Sequence, residues 1–225
     1  MPKRTVRVRV TEEYGLRFRP WALGDADAVA DVLYRELYPL ELLEDAREVV
    51  DAGAHVGAFT VLAAARGARR VLALEPHPEN AELLRRNVEE NGISAEVIEA
   101  AAYDREDEVR MYVAPSTVAH SVEMVRSRET IRVGTVRIDD LDARPDLIKL
   151  DVEGAEERAL RGAERTLEEH APRVVVSAYH YPGQEEDVRR WLEDRNYRAE
   201  LRVREASPYR SPTLRVPVVL GEPRA

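Results

Sequence analysis

The chain has 225 residues, 44% of them apolar and 34% charged, the balance of a globular domain rather than a disordered segment. Its formal net charge of −9 works against long polyanions as partners. With no cysteine, disulfides, thiolate metal sites and a thiol nucleophile are excluded.

The length suits one domain. No apolar run reaches the span of a bilayer, and Met1-Pro2-Lys3-Arg4-Thr5 lacks the apolar core of a signal peptide, so the expected location is cytoplasmic. Lysine occurs only at Lys3 and Lys149, against abundant arginine. The histidines and acids show no metal-ligand spacing, and no metal is expected.

From the amino-terminal end, Thr5–Val10 and Leu16–Arg19 alternate apolar with charged residues, which predicts a hairpin around Tyr14-Gly15. Asp25 reads as the cap of a helix with Ala26, Val29, Ala30, Leu33 and Leu37 on one face. This leader, residues 1–46, is expected to cover the core of a domain spanning 47–225. A partial lid over the substrate pocket is the functional alternative.

From Arg47 the pattern alternates strand and helix. Strands are expected from Glu48 to Asp51 and at Ala68–Glu75, Ala95–Ala101, Val109–Ala114, Thr130–Ile138, Asp146–Asp151 and Val174–Ala178. Helices follow at Phe59–Ala65, from Pro78 to Asn91-Gly92, through Leu160, Ala163 and Leu167, and around Val188, Trp191 and Leu192. Tyr197–Arg204 and Thr213–Leu220 finish as a hairpin. Such alternation implies a mostly parallel sheet with helices on both faces.

Glu48 to Pro76 is the stretch on which a function can be built. Val49-Val50-Asp51-Ala52-Gly53-Ala54-His55-Val56-Gly57 reads as a buried strand, a tight turn and a helix start, with Gly53 and Gly57 admitting positive φ or a close ligand. Glu75 ends the next strand about 20 residues further on, the spacing that presents a carboxylate to ribose hydroxyls. A dinucleotide site would use G-x-G-x-x-G, but His55 occupies the middle position and Asp51 precedes the turn. A carboxylate there repels a pyrophosphate and suits a cofactor with amino and sulfonium charges. S-adenosylmethionine (SAM) fits; NAD fits poorly. A β-α-β turn without ligand is the alternative.

Ligands of open parallel sheets sit beyond the carboxyl ends of the strands, where strand order reverses. Asp51, Glu75, Asp151 and His180 stand at such ends. If the order is 3-2-1-4-5, Asp51 and Asp151 flank the switch point; each acid alone could equally cap the helix that follows it.

The segments Val50–Thr60, Glu75-Pro76, Ile138-Asp139-Asp140-Leu141 and Ile148-Lys149-Leu150-Asp151-Val152-Glu153-Gly154-Ala155-Glu156 resemble the FkbM family of SAM-dependent methyltransferases. The likeness runs from about Glu48 to Tyr197, and Asp151–Glu156 is its most specific part. His55 departs from it, since the family more often has asparagine there. The resemblance implies a Rossmann-like class I methyltransferase fold, an α/β architecture with a mostly parallel twisted sheet. It also implies transfer to a hydroxyl oxygen of a small molecule or sugar.

On this reading Asp51 lies near the charged methionine end of the cofactor and Glu75 binds the ribose. The resemblance implies that Thr60 and the backbone of Ala52, Gly53, His55 and Gly57 hold the cofactor carboxylate. It sets Pro76 beside Glu75, and the backbone near Ala101 and Ala102 against the adenine. Asp151 holds the amino group or orients the acceptor. His180 is the first candidate for general base, its ordinary pKa being near neutral, and His120 is the second; a solvated loop histidine is the alternative for His180. His77 and His170 read as structural. Two rival classes are an RNA-modifying SAM enzyme, using Arg202, Arg204, Arg210 and Arg215 as a basic patch, and a non-catalytic SAM-binding module.

Overall fold

The computed structural model describes residues 4–22, 24–114, 119–124, 128–205 and 215–224. The leader holds β1 (Val6–Arg9), β2 (Gly15–Phe18) and α1 (Asp25–Leu33). The alternating part holds β3 (Glu48–Ala52), α2 (Ala58–Ala65), β4 (Arg70–Leu74), α3 (Pro78–Glu90), β5 (Ala95–Ile98), β6 (Ala101–Ala102), β7 (Asp107–Tyr112) and β8 (Thr130–Val136). It continues with β9 (Leu147–Leu150), α4 (Glu156–Arg161), α5 (Glu164–His170), β10 (Arg173–Ser177), α6 (Gln184–Glu193), β11 (Tyr197–Glu205) and β12 (Arg215–Pro223).

Seven strands form one sheet in the order β11-β12-β10-β9-β3-β4-β5, parallel from β10 to β5 and antiparallel where β12 joins β10 and β11. Strand order reverses between β3 and β9, so the crevice opens beyond Ala52 and Leu150. Alternate residues of each strand go to opposite faces. Val50, Leu72, Ile148 and Val174 pack with Leu160, Leu167 and Leu192 of α4, α5 and α6. Val49, Val71, Leu147 and Val175 pack with Phe59, Leu62 and Leu84 of α2 and α3. Both faces are covered, which is why these strands are continuous apolar runs.

Several expected boundaries shift. The third strand ends at Ile98, and Ala101-Ala102 instead pair with β8 in a separate sheet of order β6-β8-β7. The helix after Asp151 is two helices meeting around Gly162. A Cβ on Gly162 would fall 1.8 Å from the Tyr103 carbonyl oxygen, so the chain there admits only glycine. Gly15 lies within β2 rather than in the hairpin turn. Asp25 is no cap: Gly24, at φ 101°, holds the N-cap position and Asp25 is fully buried. Of the polar loop from Pro115 to Arg128, residues 115–118 and 125–127 lie outside the described residues, as does the long connection 206–214 with the expected strand start at Thr213.

The leader packs on α2 and α3. Leu16 and Val29 share a buried cluster with Val56, Ala58, Val61 and Leu83, and the Arg17 backbone N–H donates to Asn87 at 2.7 Å. Among the described residues no helix is long and apolar enough to cross a membrane.

Candidate active site

A cavity of about 480 Å³ opens at the switch point, within the range of small-molecule sites. Several parts of the chain line it. The turns after β3 and β4 contribute Gly53, Ala54, His55, Glu75 and Pro76, the ends of β9 and β10 contribute Asp151, Glu153, Tyr179 and His180, and the leader contributes Ala28, Asp31, Val32, Leu37 and Tyr38. Ala101, Ala102 and His120 also line it, so these three sequence candidates reach the cavity. Ala52, Gly57, Asp51 and Thr60 do not.

The turn after β3 is built as its glycines require. Gly53 takes φ 75° and Gly57 φ 91°. A Cβ on Gly53 would lie 1.8 Å from the Asp151 carbonyl oxygen, so the close approach of β3 to the end of β9 demands glycine here. His55 also adopts positive φ, 52°. That conformation aims its backbone N–H at Glu75 Oε2, 2.9 Å away. Glu75 Oε1 accepts from the His77 N–H at 2.9 Å and from Asn80 Nδ2 at 3.3 Å. The carboxylate of Glu75 is therefore held in one orientation while lining the cavity.

Asp51 does not line the cavity. It is fully buried, its Oδ1 lies 3.0 Å from Lys149 Nζ, and its Oδ2 accepts from Thr60 Oγ1 at 2.7 Å. Asp51 and Lys149 are register partners on β3 and β9, which forces the two side chains together inside the sheet. Lys149 also donates to the Gly53 carbonyl at 2.7 Å, tying the glycine turn to β9. The charge placed by sequence near the methionine end is thus spent on Lys149, and Thr60, expected at the cofactor carboxylate, is spent on Asp51.

Asp151 ends β9 inside the cavity. Its Oδ2 accepts from the Tyr38 hydroxyl at 2.7 Å, and that hydroxyl lies 3.1 Å from Ser177 Oγ. Burial first, and then the Asp151 charge, hold the Tyr38 phenol well above its ordinary pKa, so it stays a donor. Asp151 Oδ1 is buried and makes no hydrogen bond.

His180 is not the solvated loop residue or the free base expected. Its side chain is 1% exposed. Nδ1 lies 3.1 Å from Glu156 Oε1, and Nε2 lies 3.6 Å from both Asp151 Oδ1 and Glu153 Oε1. Burial alone would lower its pKa, but the Glu153 and Glu156 carboxylates overcome that and push it up to about 10. That direction favours the charged ring, held between the carboxylates, over a neutral proton acceptor. His120 fails differently. Burial first, then His77, brings it down to about 4. Its Nδ1 already accepts from the Ala114 N–H at 3.0 Å, and its ring stacks on His77 at 4.3 Å. The neutral ring therefore carries its proton on Nε2 and can only donate from that atom.

Asp151, Glu156 and His180 bring one metal-ligating atom each within 4.8 Å of the others, a grouping that residue spacing did not disclose. Glu156 is already engaged, accepting from the Val152 and Gly154 N–H groups and from Gln184 Nε2. Two carboxylates against a single imidazole leave this group net negative even with the ring protonated.

The reasoning from sequence missed Tyr38, Asn80, Lys149 and Glu156. Two of them had a signal: a lone lysine inside an apolar strand needs a buried counter-charge, and Glu156 closes the segment most specific to the family resemblance.

A parallel sheet reversing at β3/β9, with Glu75 just past β4 and a cavity beyond both, is the Rossmann-like fold of class I methyltransferases. A family model for the methyltransferase FkbM domain matches residues 51–199. The chain belongs to the FkbM methyltransferase family. It is similar to Methyltransferase 1 of Beauveria bassiana (strain ARSEF 2860), at 21% identity over 85% of this chain and 88% of that protein. The solved methyltransferase FkbM of Methylobacillus flagellatus KT is 26% identical, with a TM-score of 0.59 over 79% of this chain. This chain spans 44% of that one. The fold also matches a Pyrococcus abyssi tRNA (uracil-54, C5)-methyltransferase solved with S-adenosyl-L-homocysteine, at 20% identity and TM-score 0.56, over 97% of this chain and 44% of that one. S-adenosylmethionine, expected from the sequence, is the cofactor of this class, and a rigid carboxylate at Glu75 beside a glycine turn suits its ribose and its close approach.

Proposed function

We propose that the chain methylates a hydroxyl oxygen of a small, uncharged acceptor such as a sugar. The observation that supports this is the character of the cavity beyond β9 and β10. It offers the carboxylates of Asp151 and Glu153 and the ring of Tyr179, while the one lysine there, Lys149, is neutralised by Asp51. Carboxylates accept hydrogen bonds from hydroxyl groups and repel phosphates, which disfavours the RNA-modifying alternative. Of that alternative's basic patch, Arg202 is paired with Glu41 and Glu200, and the side chains of Arg204, Arg210 and Arg215 lie outside the described residues.

Bound S-adenosylmethionine supplies a methyl group already activated by positive sulfur. The protein's part is to hold the ribose through Glu75, exclude water, align the acceptor oxygen and receive its proton. Asp151 Oδ1, buried and without a hydrogen bond, is the atom for that proton, and Tyr38 fixes the other oxygen. His180 enters as a fixed positive charge beside Asp151.

The test is transfer of labelled methyl from S-adenosylmethionine to a panel of sugars, glycosides and phenols, with total RNA alongside. Label in a neutral hydroxyl acceptor is expected. Label in RNA, lost steeply with added salt, would replace the acceptor assignment, and tight cofactor binding without transfer to any acceptor would mark a binding module.

A further inference from the structure

Glu75 is joined to the leader by a closed ring of buried polar contacts. Asn80 Nδ2 donates to Glu75 Oε1, and Asn80 Oδ1 accepts from Arg19 Nη2 at 2.5 Å. Arg19 Nε and Nη2 each donate to the carboxylate of Asp25 at 2.9 Å. Asp25 Oδ1 lies 3.2 Å from His55 Nε2, and the His55 N–H returns to Glu75. Asp25 is 0% exposed, Asn80 2%, Glu75 6% and Arg19 8%. Charges this deeply buried persist only when paired and hydrogen-bonded.

Each of these bonds has a fixed direction. A guanidinium only donates, so Arg19 compels Asn80 to present its oxygen, which turns the amide NH₂ toward Glu75. Asp25 in turn holds the Arg19 fork by a bidentate pair. On the far side of the ring Asp25 faces the His55 ring, whose backbone N–H holds the other oxygen of Glu75. Neither Arg19 nor Asp25 lines the cavity, yet both act on the carboxylate that does.

We propose that Arg19 and Asp25 are positioning residues for the ribose diol of the cofactor, so that docking of the leader and binding of the cofactor are one thermodynamic unit. This rests on the assignment of Glu75 to the ribose and extends the site to a segment that the family match at residues 51–199 does not include.

The experiment is calorimetry with two probes, S-adenosylhomocysteine and its 2′,3′-dideoxy analogue, on the parent, Arg19→Met and Asp25→Asn, with circular dichroism to confirm folding. The parent should prefer the hydroxylated probe by about tenfold or more, the worth of a hydrogen bond to a charged group. Each variant should lose most of that preference while binding the dideoxy probe within twofold of the parent. Asp25→Asn preserves volume and keeps the test decisive if Arg19→Met does not fold. Equal weakening of both probes, or an undiminished preference, would overturn the proposal. A parent that binds but shows no preference would instead sink the ribose assignment of Glu75, and a parent that binds neither probe would sink the cofactor reading itself.

Discussion

The two halves of the cavity are made differently. The half under β3 and β4 is made of backbone: glycines at positive φ, N–H groups aimed at Glu75, and strand ends set by register. The half under β9 and β10 is made of side chains that meet from distant parts of the chain, such as Tyr38 on Asp151, 113 positions apart. Backbone geometry follows from residue spacing, whereas the protonation state of a side chain follows from everything packed around it. The glycine turn and the position of Glu75 were therefore readable, whereas the partners of Asp51 and of the second half's side chains were not.

The two halves separate most visibly at Asp151. If the second half carries the proton transfer, Asp151→Asn should lower turnover by roughly 10²–10⁴-fold in the methyl-transfer assay. A variant within threefold of the parent would move the chemistry elsewhere. Next in size is the pair that joins the halves. Lys149→Met leaves the Asp51 carboxylate buried and unpaired, and should cost about 3–5 kcal/mol of folding stability in urea unfolding. A loss below about 1 kcal/mol, the worth of an exposed pair, would show that water reaches Asp51.

Glu75→Gln tests the backbone half. It should weaken S-adenosylmethionine binding by roughly 1.5–3 kcal/mol for each charge-assisted bond lost, and calorimetry giving unchanged affinity would remove the carboxylate from cofactor recognition.

A further effect depends on pH. The folded pKa of His180 is about 10, above its unfolded value of about 6.5. The stability it contributes is then fully present below about 6.5 and lost as pH rises through about 10. The stability gap between the parent and His180→Gln should thus be wide at pH 6 and narrow steadily toward pH 10. A gap independent of pH would return His180 to a neutral ring and reopen its role as a base.

The sequence by itself determined the alternation of strands and helices, the two-sided sheet, the glycine turn and the acid at Glu75. Each of these depends on residues close in the chain or on a simple period of apolar positions. Tertiary structure alone decided where the charges went. Asp51 looks free until β9 sets Lys149 opposite it, and His180 looks like a base until Glu153 and Glu156 close around it. Asp25 reads as a helix cap until the folded leader buries it against Arg19. The reason is physical: a buried charge is settled by its nearest counter-charge, and that neighbour is chosen by register and packing rather than by proximity along the chain.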